Sequence, residues 1–255
     1  MMKTTKAAAK SAAFLKQKKY RQERLEFLVE GIRAVEEAVE YGNTKMIFFV
    51  PTDDERTNAL LQKAESKGIP VSETYEGYMV TICDTTTPQG IAAICQMPQC
   101  RMQDVFATKK MVLVLDKVQD PGNLGTLLRT ADAAGLGGVI CLEGSVDAYM
   151  PKVIRSTMGS IFHLPVVQNV SEADFLAMAL EHQYETIATS IDGGTNIYET
   201  EIEGNLAVIV GNEANGISPT LIKSANKRCY IPMKGRAESL NVAIAAAIVI
   251  FQLNH

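Results

Sequence analysis

The sequence predicts an α/β protein in two domains: a small α/β domain precedes a larger one built on a mainly parallel sheet. Over residues 108–255, apolar strands alternate with helices, a pattern typical of a parallel sheet covered on both faces. A polar join at residues 97–110 separates this region from a shorter α/β region at residues 22–100. Residues 1–21 precede both predicted domains as a basic tail.

The small domain is predicted to begin with an amphipathic helix over residues 22–41, where apolar residues recur at helical spacing and Gly42 follows as a C-cap. An acidic first turn and a terminal glycine indicate a second helix over residues 52–68. The strands predicted around these helices are at 45–50, 69–73 and 90–96.

The large domain is predicted to alternate short apolar strands with helices. Ser171 is placed to cap one of the helices, with two acidic residues in its first turn. The predicted strands are at 111–116, 137–142, 163–167, 186–191, 206–211 and 228–233, and the predicted helices are at 123–135, 151–160, 171–182 and from about Ser239. Ligands of open parallel sheets bind beyond the carboxyl ends of the strands, so the loops after the strands are the expected site.

Composition and cysteine usage limit the class of protein. Apolar residues make up 47% of the 255 residues, which indicates a folded globular chain. No stretch approaches the roughly 18 unbroken apolar residues of a membrane span, and the N-terminus lacks the long apolar core of a signal peptide. The five cysteines include no CxxC pair and the three histidines do not cluster, so neither a metal site nor a disulfide framework is expected. Reduced thiols suit the cytoplasm.

Positive charge is concentrated at the N-terminus, although the whole chain has a net charge of −4. Residues 1–25 contain eight lysines and arginines and one glutamate, which gives +7, whereas residues 26–105 carry −7 and residues 106–255 carry −4. The basic segment is the obvious place for contact with a polyanion. A solvated, frayed terminus would have the same composition.

A turn and a helix N-terminus follow the first strand of the large domain. The turn comprises Asp120, Pro121 and Gly122, and Asn123 begins the helix. Backbone N–H groups at such an end attract an anion, and Arg129, roughly two turns further on, is able to bind a phosphate bidentately. A plain turn with a surface arginine explains the same residues.

Two more loops follow predicted strand ends. In GNEANGIS, residues 211–218, two glycines flank Glu213 and allow close approach of a ligand to the backbone, although a plain turn explains them equally well. The third loop, residues 231–241, combines a rigid proline-containing backbone with apolar side chains and suits a flat aromatic ring such as adenine. Ser239 stands before the last helix, where the usual role of a serine is that of an N-cap.

Motifs of other nucleotide-binding and hydrolytic proteins are absent from the sequence. No G-x-G-x-x-G follows a strand, which weakens a dinucleotide-binding interpretation, and no G-x-x-x-x-G-K-[ST] motif is present. G-x-S-x-G is absent as well, and no histidine stands near a serine as a hydrolase would need.

The three loops together resemble a known family. PGNLGTLLRTADAAG, GNEANGIS and IPMKGRAESLNVAIAAAI resemble, in order and near the family's spacing, the three motifs of the SpoU (TrmH-type) RNA 2′-O-ribose methyltransferases of the SPOUT superfamily. KVIRSTMGSIFHLPV, residues 152–166, resembles a segment between the first two motifs. EGIRAVEEA and PQGIAAI, residues 30–38 and 88–94, resemble the family's N-terminal substrate-binding domain.

This resemblance implies a fold, an activity and partners. It implies a trefoil-knotted methyltransferase domain over residues 108–255, a substrate (RNA)-binding domain over residues 22–100, and a homodimer with the active site near the subunit interface. The activity would be methyl transfer from S-adenosylmethionine to a ribose 2′-hydroxyl, with ribosomal RNA preferred as the substrate because of the accessory domain. A deep knot is outside what periodicity predicts, because knots are nearly absent among folds.

The resemblance also implies the cofactor residues. S-adenosylmethionine would be framed by Gly211, Ile231, Met233 and Leu240, largely through backbone and apolar contact. Thr189, near the end of a predicted strand, is a further candidate for the same pocket.

The polar residues of the three motifs would serve the RNA and the reaction. Arg129 would face the RNA, positioning a phosphate and polarising the hydroxyl, because a guanidinium stays protonated at neutral pH and is a poor base. Asn123 and Glu213 would order Arg129 and the loops. Ser239 and Asn241 would orient the ribose or the methyl donor.

Other functions remain open from the sequence alone. The substrate could be transfer RNA rather than ribosomal RNA. A non-catalytic RNA-binding protein could keep the same fold, although the complete set of polar motif residues argues against it. Methylation of a base rather than a ribose is a third alternative on the same scaffold.

Overall fold

The computed structural model describes residues 2–191, 193–202 and 204–254, and it divides the chain into two compact units. Unit 1 comprises the chain up to Pro98 and the segment Tyr149–His163, and unit 2 comprises Gln99–Ala148 and the chain from Leu164 onward. The strands are β1 Met2–Lys3, β2 Glu26–Glu30, β3 Thr44–Phe49, β4 Val71–Glu73, β5 Ile91–Gln96, β6 Val112–Leu115, β7 Gly138–Leu142, β8 Val166–Val170, β9 Tyr184–Thr189, β10 Thr195–Asn196, β11 Asn205–Val210 and β12 Lys227–Tyr230. The α-helices are α1 Lys6–Ala13, α2 Lys18–Arg24, α3 Ile32–Tyr41, α4 Glu55–Ser66, α5 Glu76–Ile82, α6 Met102–Phe106, α7 Pro121–Ala133, α8 Pro151–Thr157, α9 Glu172–Glu181, α10 Pro219–Ser224 and α11 Val242–Leu253.

Unit 1 is built on a mixed sheet in the order β1-β4-β3-β5-β2. Strand β5 pairs antiparallel with β2 and β3, whereas β4 pairs parallel with β1 and β3. The small α/β domain predicted from the sequence therefore exists, with strands β3 and β5 close to their predicted positions.

The structure divides the predicted helix of residues 22–41 into a strand and a helix. Phe27, Leu28 and Val29 are consecutive and all buried, which fits a strand covered on both faces better than a helix with one buried face. Five residue pairs with β5 fix that strand. Gly31, with φ of +89°, then starts α3 in a conformation that favours glycine.

Residues 2–24 are folded, whereas the sequence predicts a basic tail over residues 1–21. Helix α1 buries Ala9, and Leu15 is fully buried in the core of unit 1. The side chain of Arg21 is also buried, and its Nη1 donates to two backbone carbonyl groups of the same segment at 2.8 Å. The segment is therefore a structural part of unit 1, because Ala9, Ala12 and Leu15 belong to its buried hydrophobic core.

The segment Tyr149–His163 belongs to unit 1, although the sequence assigns it to the large domain. The ring of Phe27 packs against the rings of Tyr149 and Phe162, with centroid distances of 5.0 and 5.9 Å. Helix α8 packs on β2. These contacts join residues far apart in the sequence, and no local pattern predicts them.

Unit 2 contains one parallel sheet in the order β10-β12-β9-β11-β6-β7-β8, which confirms the predicted parallel architecture. All residues of β6 and β7 are buried, so both faces of the central sheet are covered. This explains why these strands are continuous apolar runs rather than alternating patterns. Among the described residues, no helix is both long and apolar enough to cross a membrane.

Several elements of unit 2 begin or end away from their predicted positions. Strand β12 ends at Tyr230 instead of residue 233, because Pro232 has no N–H to donate to a neighbouring strand. Strand β8 starts at Val166, directly after a proline, and not at residue 163. Helix α11 begins at Val242 and not at Ser239, because Asn241 is its N-cap.

Candidate active site

The three predicted site loops follow strands whose carboxyl ends lie at one edge of the sheet. Strands β6, β11, β9 and β12 are parallel neighbours, so their carboxyl ends lie at the same edge of the sheet. Residues 116–120 follow β6, residues 211–218 follow β11, and residues 231–241 follow β12. The three loops that the sequence singles out therefore emerge at one edge, where ligands of open parallel sheets bind.

The loop after β11 is a compact turn organised by Asn212. The backbone N–H groups of Asn212 and Gly216 donate to each other's carbonyl oxygens over 3.0 and 2.9 Å. The side-chain Oδ1 of Asn212 accepts two backbone N–H groups of the same loop at 3.0 Å, and its Nδ2 donates to the carbonyl of Lys117 at 2.8 Å. A Cβ on Gly211 would lie 2.2 Å from the backbone of Gly216, so this close approach requires glycine at position 211.

Glu213 reaches from this turn to the loop after β6. Its carboxylate accepts hydrogen bonds from the backbone N–H groups of Gln119 and Asp120 at 3.4 and 3.3 Å, and from Nδ2 of Asn123 at 2.9 Å. Partial burial raises the pKa of Glu213, but the hydrogen bonds from Asn123 and the backbone outweigh it and lower the pKa below its ordinary value. The carboxylate is therefore ionised at neutral pH, and it ties the second motif to the first.

Asn123 joins all three loops. Its Nδ2 donates to Glu213, and its Oδ1 accepts a hydrogen bond from Nδ2 of Asn241 at 2.9 Å. The Oδ1 of Asn241 accepts the backbone N–H groups of Ala243 and Ile244 at 2.9 and 3.3 Å and so caps α11. In this series of hydrogen bonds, Asn241 donates to Asn123 and Asn123 donates to the Glu213 carboxylate. This direction fixes the orientation of both amide side chains.

Two carboxylates fix the loop after β6: Asp120 caps the following helix, and Asp116 is buried. The Oδ1 of Asp120 accepts the backbone N–H of Asn123 at 2.8 Å and caps α7, with Pro121 in the first helical position. Asp116, the residue after β6, is 1% exposed, and its Oδ2 accepts the backbone N–H of Ser218 at 2.6 Å. Through Asp116 the start of α10 is tied to the end of β6.

Sequence reasoning overlooked Asp116, Asn212 and Ser218 as organisers of the site. All three act through hydrogen bonds between side chain and backbone, and their partners are distant in the sequence or set by the turn. A signal for Asp116 exists, because it directly follows a buried apolar strand, and buried carboxylates are rare without partners. No comparable signal marks the other two.

The third loop is largely exposed and makes few internal contacts. Residues 232–240 form no hydrogen bond or ion pair with any other described residue. Met233 and Leu240 are 38% and 36% exposed although both are apolar. Ser239 is exposed and is not the N-cap of α11, so the structural role that the sequence allowed for it is wrong. The loop therefore presents backbone groups, a hydroxyl and apolar side chains to solvent.

Arg129 lies on the exposed face of α7, whose opposite face buries Leu124, Leu127 and Leu128. Its side chain forms no hydrogen bond or ion pair within residues 2–191, 193–202 and 204–254. The hydrogen bonds that Glu213 accepts from Asn123 and the backbone therefore order the loops without involving the guanidinium. The side chain is available to an anion.

The remaining cofactor candidates lie at the ends of strands. Thr189 is the last residue of β9, and its hydroxyl donates to the carbonyl of Ile209 at 3.1 Å. Ile231 is half-buried and directly follows β12, and Gly211 directly follows β11. The structure thus brings these three to the same sheet edge as the exposed loop.

The sequence matches two family models. Residues 110–251, more than half of the chain, match the SpoU rRNA Methylase family. Residues 6–93 match the MRM3-like substrate binding domain, which includes most of the segment that the sequence predicts to be a tail. All candidate site residues lie within the first match.

The similarity to individual proteins extends over nearly the whole chain. The chain is 39% identical over 237 residues to the 23S rRNA (guanosine(2553)-2′-O)-methyltransferase RlmP of Bacillus subtilis (strain 168), covering 92% of this chain and 91% of that protein. The crystal structure of AdoMet-bound rRNA methyltransferase from Sinorhizobium meliloti has a TM-score of 0.88 at 30% identity and covers 99% and 95% of the two chains. The fold is also that of the SpoU methyltransferase AviRb from Streptomyces viridochromogenes in complex with AdoMet, with a TM-score of 0.87, 23% identity and coverage of 97% of each chain.

Proposed function

The chain belongs to the SpoU rRNA methylase family, and on this premise we propose that it transfers a methyl group from S-adenosylmethionine to a ribose 2′-hydroxyl of ribosomal RNA. The observation that carries the proposal is the hydrogen-bond chain from Glu213 through Asn123 to Asn241. It joins the three family motifs into one rigid arrangement at the edge of the sheet where ligands bind.

Ribosomal RNA is the proposed substrate because similar proteins are named for it. The B. subtilis relative is a 23S rRNA methyltransferase, and the S. meliloti structure is of an rRNA methyltransferase. Unit 1, which matches a substrate binding domain over residues 6–93, is then the part of the chain that holds the RNA. An RNA substrate and five free thiols fit a cytoplasmic enzyme.

The residues at the sheet edge fit S-adenosylmethionine. Residues 232–240 offer backbone N–H and C=O groups that bind nothing else in the described chain, and Met233 and Leu240 offer exposed apolar surface for an adenine ring. Gly211, Ile231 and Thr189 would frame the same pocket from the strand ends. When bound, the cofactor supplies an electrophilic methyl group on a positively charged sulfur.

The polar residues would orient the ribose. A 2′-hydroxyl is a weak nucleophile: as its oxygen bonds to the methyl carbon, the bond from that carbon to sulfur breaks and the hydroxyl proton passes to solvent water. The amides of Asn123 and Asn241 are held in place by their neighbours, and the Ser239 hydroxyl has no partner in the described chain. Glu213 would hold the loops and not take the proton, because its lowered pKa makes it a weak base.

Arg129 would position the RNA. Its guanidinium is exposed and has no partner among the described residues, and its forked donors match two oxygens of a phosphate. A guanidinium is a hydrogen-bond donor without an acceptor atom, so this side chain would polarise a nearby hydroxyl and not remove its proton.

We also propose that the protein is a homodimer whose interface includes α11. Ile244 and Phe251 lie seven residues apart on one face of α11 and are 51% and 56% exposed. Large apolar side chains on a common exposed face are typical of a covered interface. The trefoil knot that the family resemblance implies remains a prediction.

The proposal is tested with purified protein, radiolabelled methyl donor and three RNA substrates: 23S rRNA, 16S rRNA and transfer RNA. We expect label in ribosomal RNA, recovered as a 2′-O-methyl nucleoside after digestion. A substrate with deoxyribose at the labelled nucleotide should accept no methyl group. Equal labelling of the deoxy substrate would refute ribose methylation, label in transfer RNA alone would refute the ribosomal substrate, and RNA binding without any label would favour a non-catalytic role.

A further inference from the structure

Residues 2–24 contain exposed lysines that form no ion pair with any described residue. Glu23 is the one acidic residue in this segment. Five lysines in it are exposed, and none of them forms an ion pair with a described residue: Lys3, Lys6, Lys10, Lys18 and Lys19.

Several other basic side chains of unit 1 are paired with acids. Lys63 and Lys67 form ion pairs with Glu40 at 2.7 and 2.9 Å, and Lys45 forms one with Glu26 at 2.8 Å. Arg56 pairs with Glu36 in the same unit. Arg33 and Lys152 of this unit also form no ion pair with a described residue, and the five lysines differ from them in lying together in one segment.

The exposed lysines are displayed on a fixed scaffold. Leu15 and the Arg21 side chain of the same segment are buried, and the rings of Phe14 and Tyr20 stack with centroids 4.6 Å apart. Arg24 donates from Nη1 to the carbonyl and the hydroxyl of Ser11 at 3.0 Å, which ties α2 to α1. A charged surface of this kind costs less conformational entropy on binding than a frayed tail.

The placement of the lysines is unfavourable for the isolated helices. Helices α1 and α2 begin with Lys6 and Lys18 and have no acidic residue in the first turn, where the helix dipole disfavours a cation. Lys6 and Lys10 are also like charges at i and i+4 on one face. Such an arrangement becomes favourable when a polyanion covers it.

We propose that the exposed lysines of residues 2–24 bind the phosphodiester backbone of the substrate RNA. The inference rests on the proposed function for the identity of the RNA. Lysine is a compact point charge that binds phosphate without base specificity, so this surface adds affinity and not sequence recognition. None of these lysines is among the candidate catalytic residues, which all lie in unit 2, so we expect their loss to weaken RNA binding and to leave the chemical step unchanged.

The test uses the full-length protein and compares a test variant with a control variant, each of which loses four positive charges. The test variant replaces Lys6, Lys10, Lys18 and Lys19 with Gln, and a companion variant replaces the same four with Arg. The control variant replaces the four paired bases Lys45, Arg56, Lys63 and Lys67 with Gln. Thermal melts establish that each variant is folded, and fluorescence anisotropy measures its affinity for a ribosomal RNA fragment at several salt concentrations.

We expect the test variant to lose about tenfold or more in RNA affinity near 0.1 M salt, and the slope of log K against log[salt] to become shallower by up to about three. The Arg companion should bind like the unsubstituted protein, and the control should lose much less affinity. Methyl transfer at saturating RNA should keep its kcat in the test variant. Equal losses in test and control variants, or no loss in either, would overturn the proposal. Absence of methyl transfer by the unsubstituted protein would instead refute the proposed function, and the binding comparison would still be informative.

Discussion

Asn241 donates a hydrogen bond from its Nδ2 to the Oδ1 of Asn123 over 2.9 Å, although the two residues are 118 positions apart. Asn241 also caps α11, and Asn123 donates in turn to Glu213. One amide side chain therefore has two separable roles, one for helix stability and one for the geometry of the site.

Two substitutions at Asn241 separate these roles. Asn241→Ala removes both the cap and the donor, and it should cost roughly 1 kcal/mol in the free energy of unfolding together with most activity. Asn241→Asp keeps a capping oxygen but cannot donate to Asn123, so its stability should stay close to that of the unsubstituted protein while kcat/KM falls on the order of 10²-fold. Denaturant unfolding and methyl-transfer kinetics measure the two effects. Full activity of Asn241→Asp would show that the bond to Asn123 is dispensable.

Arg129→Ala should abolish turnover and leave the cofactor side intact. The side chain is exposed and unpaired in the described chain, so the free energy of unfolding should change by no more than about 0.5 kcal/mol. The kcat/KM for RNA should fall on the order of 10²-fold or more. Arg129→Lys keeps the charge but loses the bidentate fork and should recover only part of this loss. Calorimetry with S-adenosylmethionine provides the check, since an equal loss of cofactor affinity would place Arg129 in the cofactor pocket.

Ile244→Glu on α11 should convert the proposed dimer into a monomer. Ile244 is 51% exposed in the single chain, and a buried charge at an apolar interface is strongly unfavourable. Leu180→Glu is the matched control, because Leu180 on α9 is 81% exposed and lies on another helix of the same unit. Sedimentation at low micromolar concentration should show a dimer for the control and a 27.8 kDa species for Ile244→Glu. A 27.8 kDa species for the unsubstituted protein would contradict the dimer.

The native protein should expose one thiol to a disulfide reagent at pH 8. Burial raises the pKa of Cys83, Cys95 and Cys141 to about 12 and that of Cys229 to about 11, so these four stay neutral and inaccessible. Cys100 is partly exposed and should react slowly. Colorimetric titration of the unsubstituted protein should give one thiol in buffer and five in denaturant. The Cys100→Ser variant should give none in buffer.

The same four buried thiols should lower the free energy of unfolding at alkaline pH. Their pKa values are raised in the folded state, so the stability that the neutral buried thiols contribute is fully present below about pH 8.5, the ordinary pKa of a thiol. It is lost as the pH rises toward 11 to 12, because the unfolded thiols ionise while the buried ones do not. Unfolding free energies that stay constant from pH 8 to pH 10 would be at odds with this expectation.

Local sequence patterns predicted the parallel sheet of unit 2 and the loops that form its candidate site. Apolar runs such as 111–116 and 206–211 indicated buried parallel strands, and the polar loops after them proved to share one edge of the sheet. This worked because strand burial and turn chemistry are properties of a few consecutive residues. The role that the sequence suggested for Ser239 as a helix cap failed, since Asn241 two residues later competes for the same backbone donors.

Only the tertiary structure decided three further features. The strand at Glu26–Glu30 forms because β5 pairs with it, although its residues also satisfy helical spacing. Residues 2–24 fold because distant parts of unit 1 cover Leu15, so a segment with the charge of a tail becomes a rigid surface. The chain from Glu213 to Asn241 exists because strand order brings residues from three loops within hydrogen-bond distance. Each of these depends on contacts between residues far apart in the sequence, and sequence periodicity reports only on neighbours.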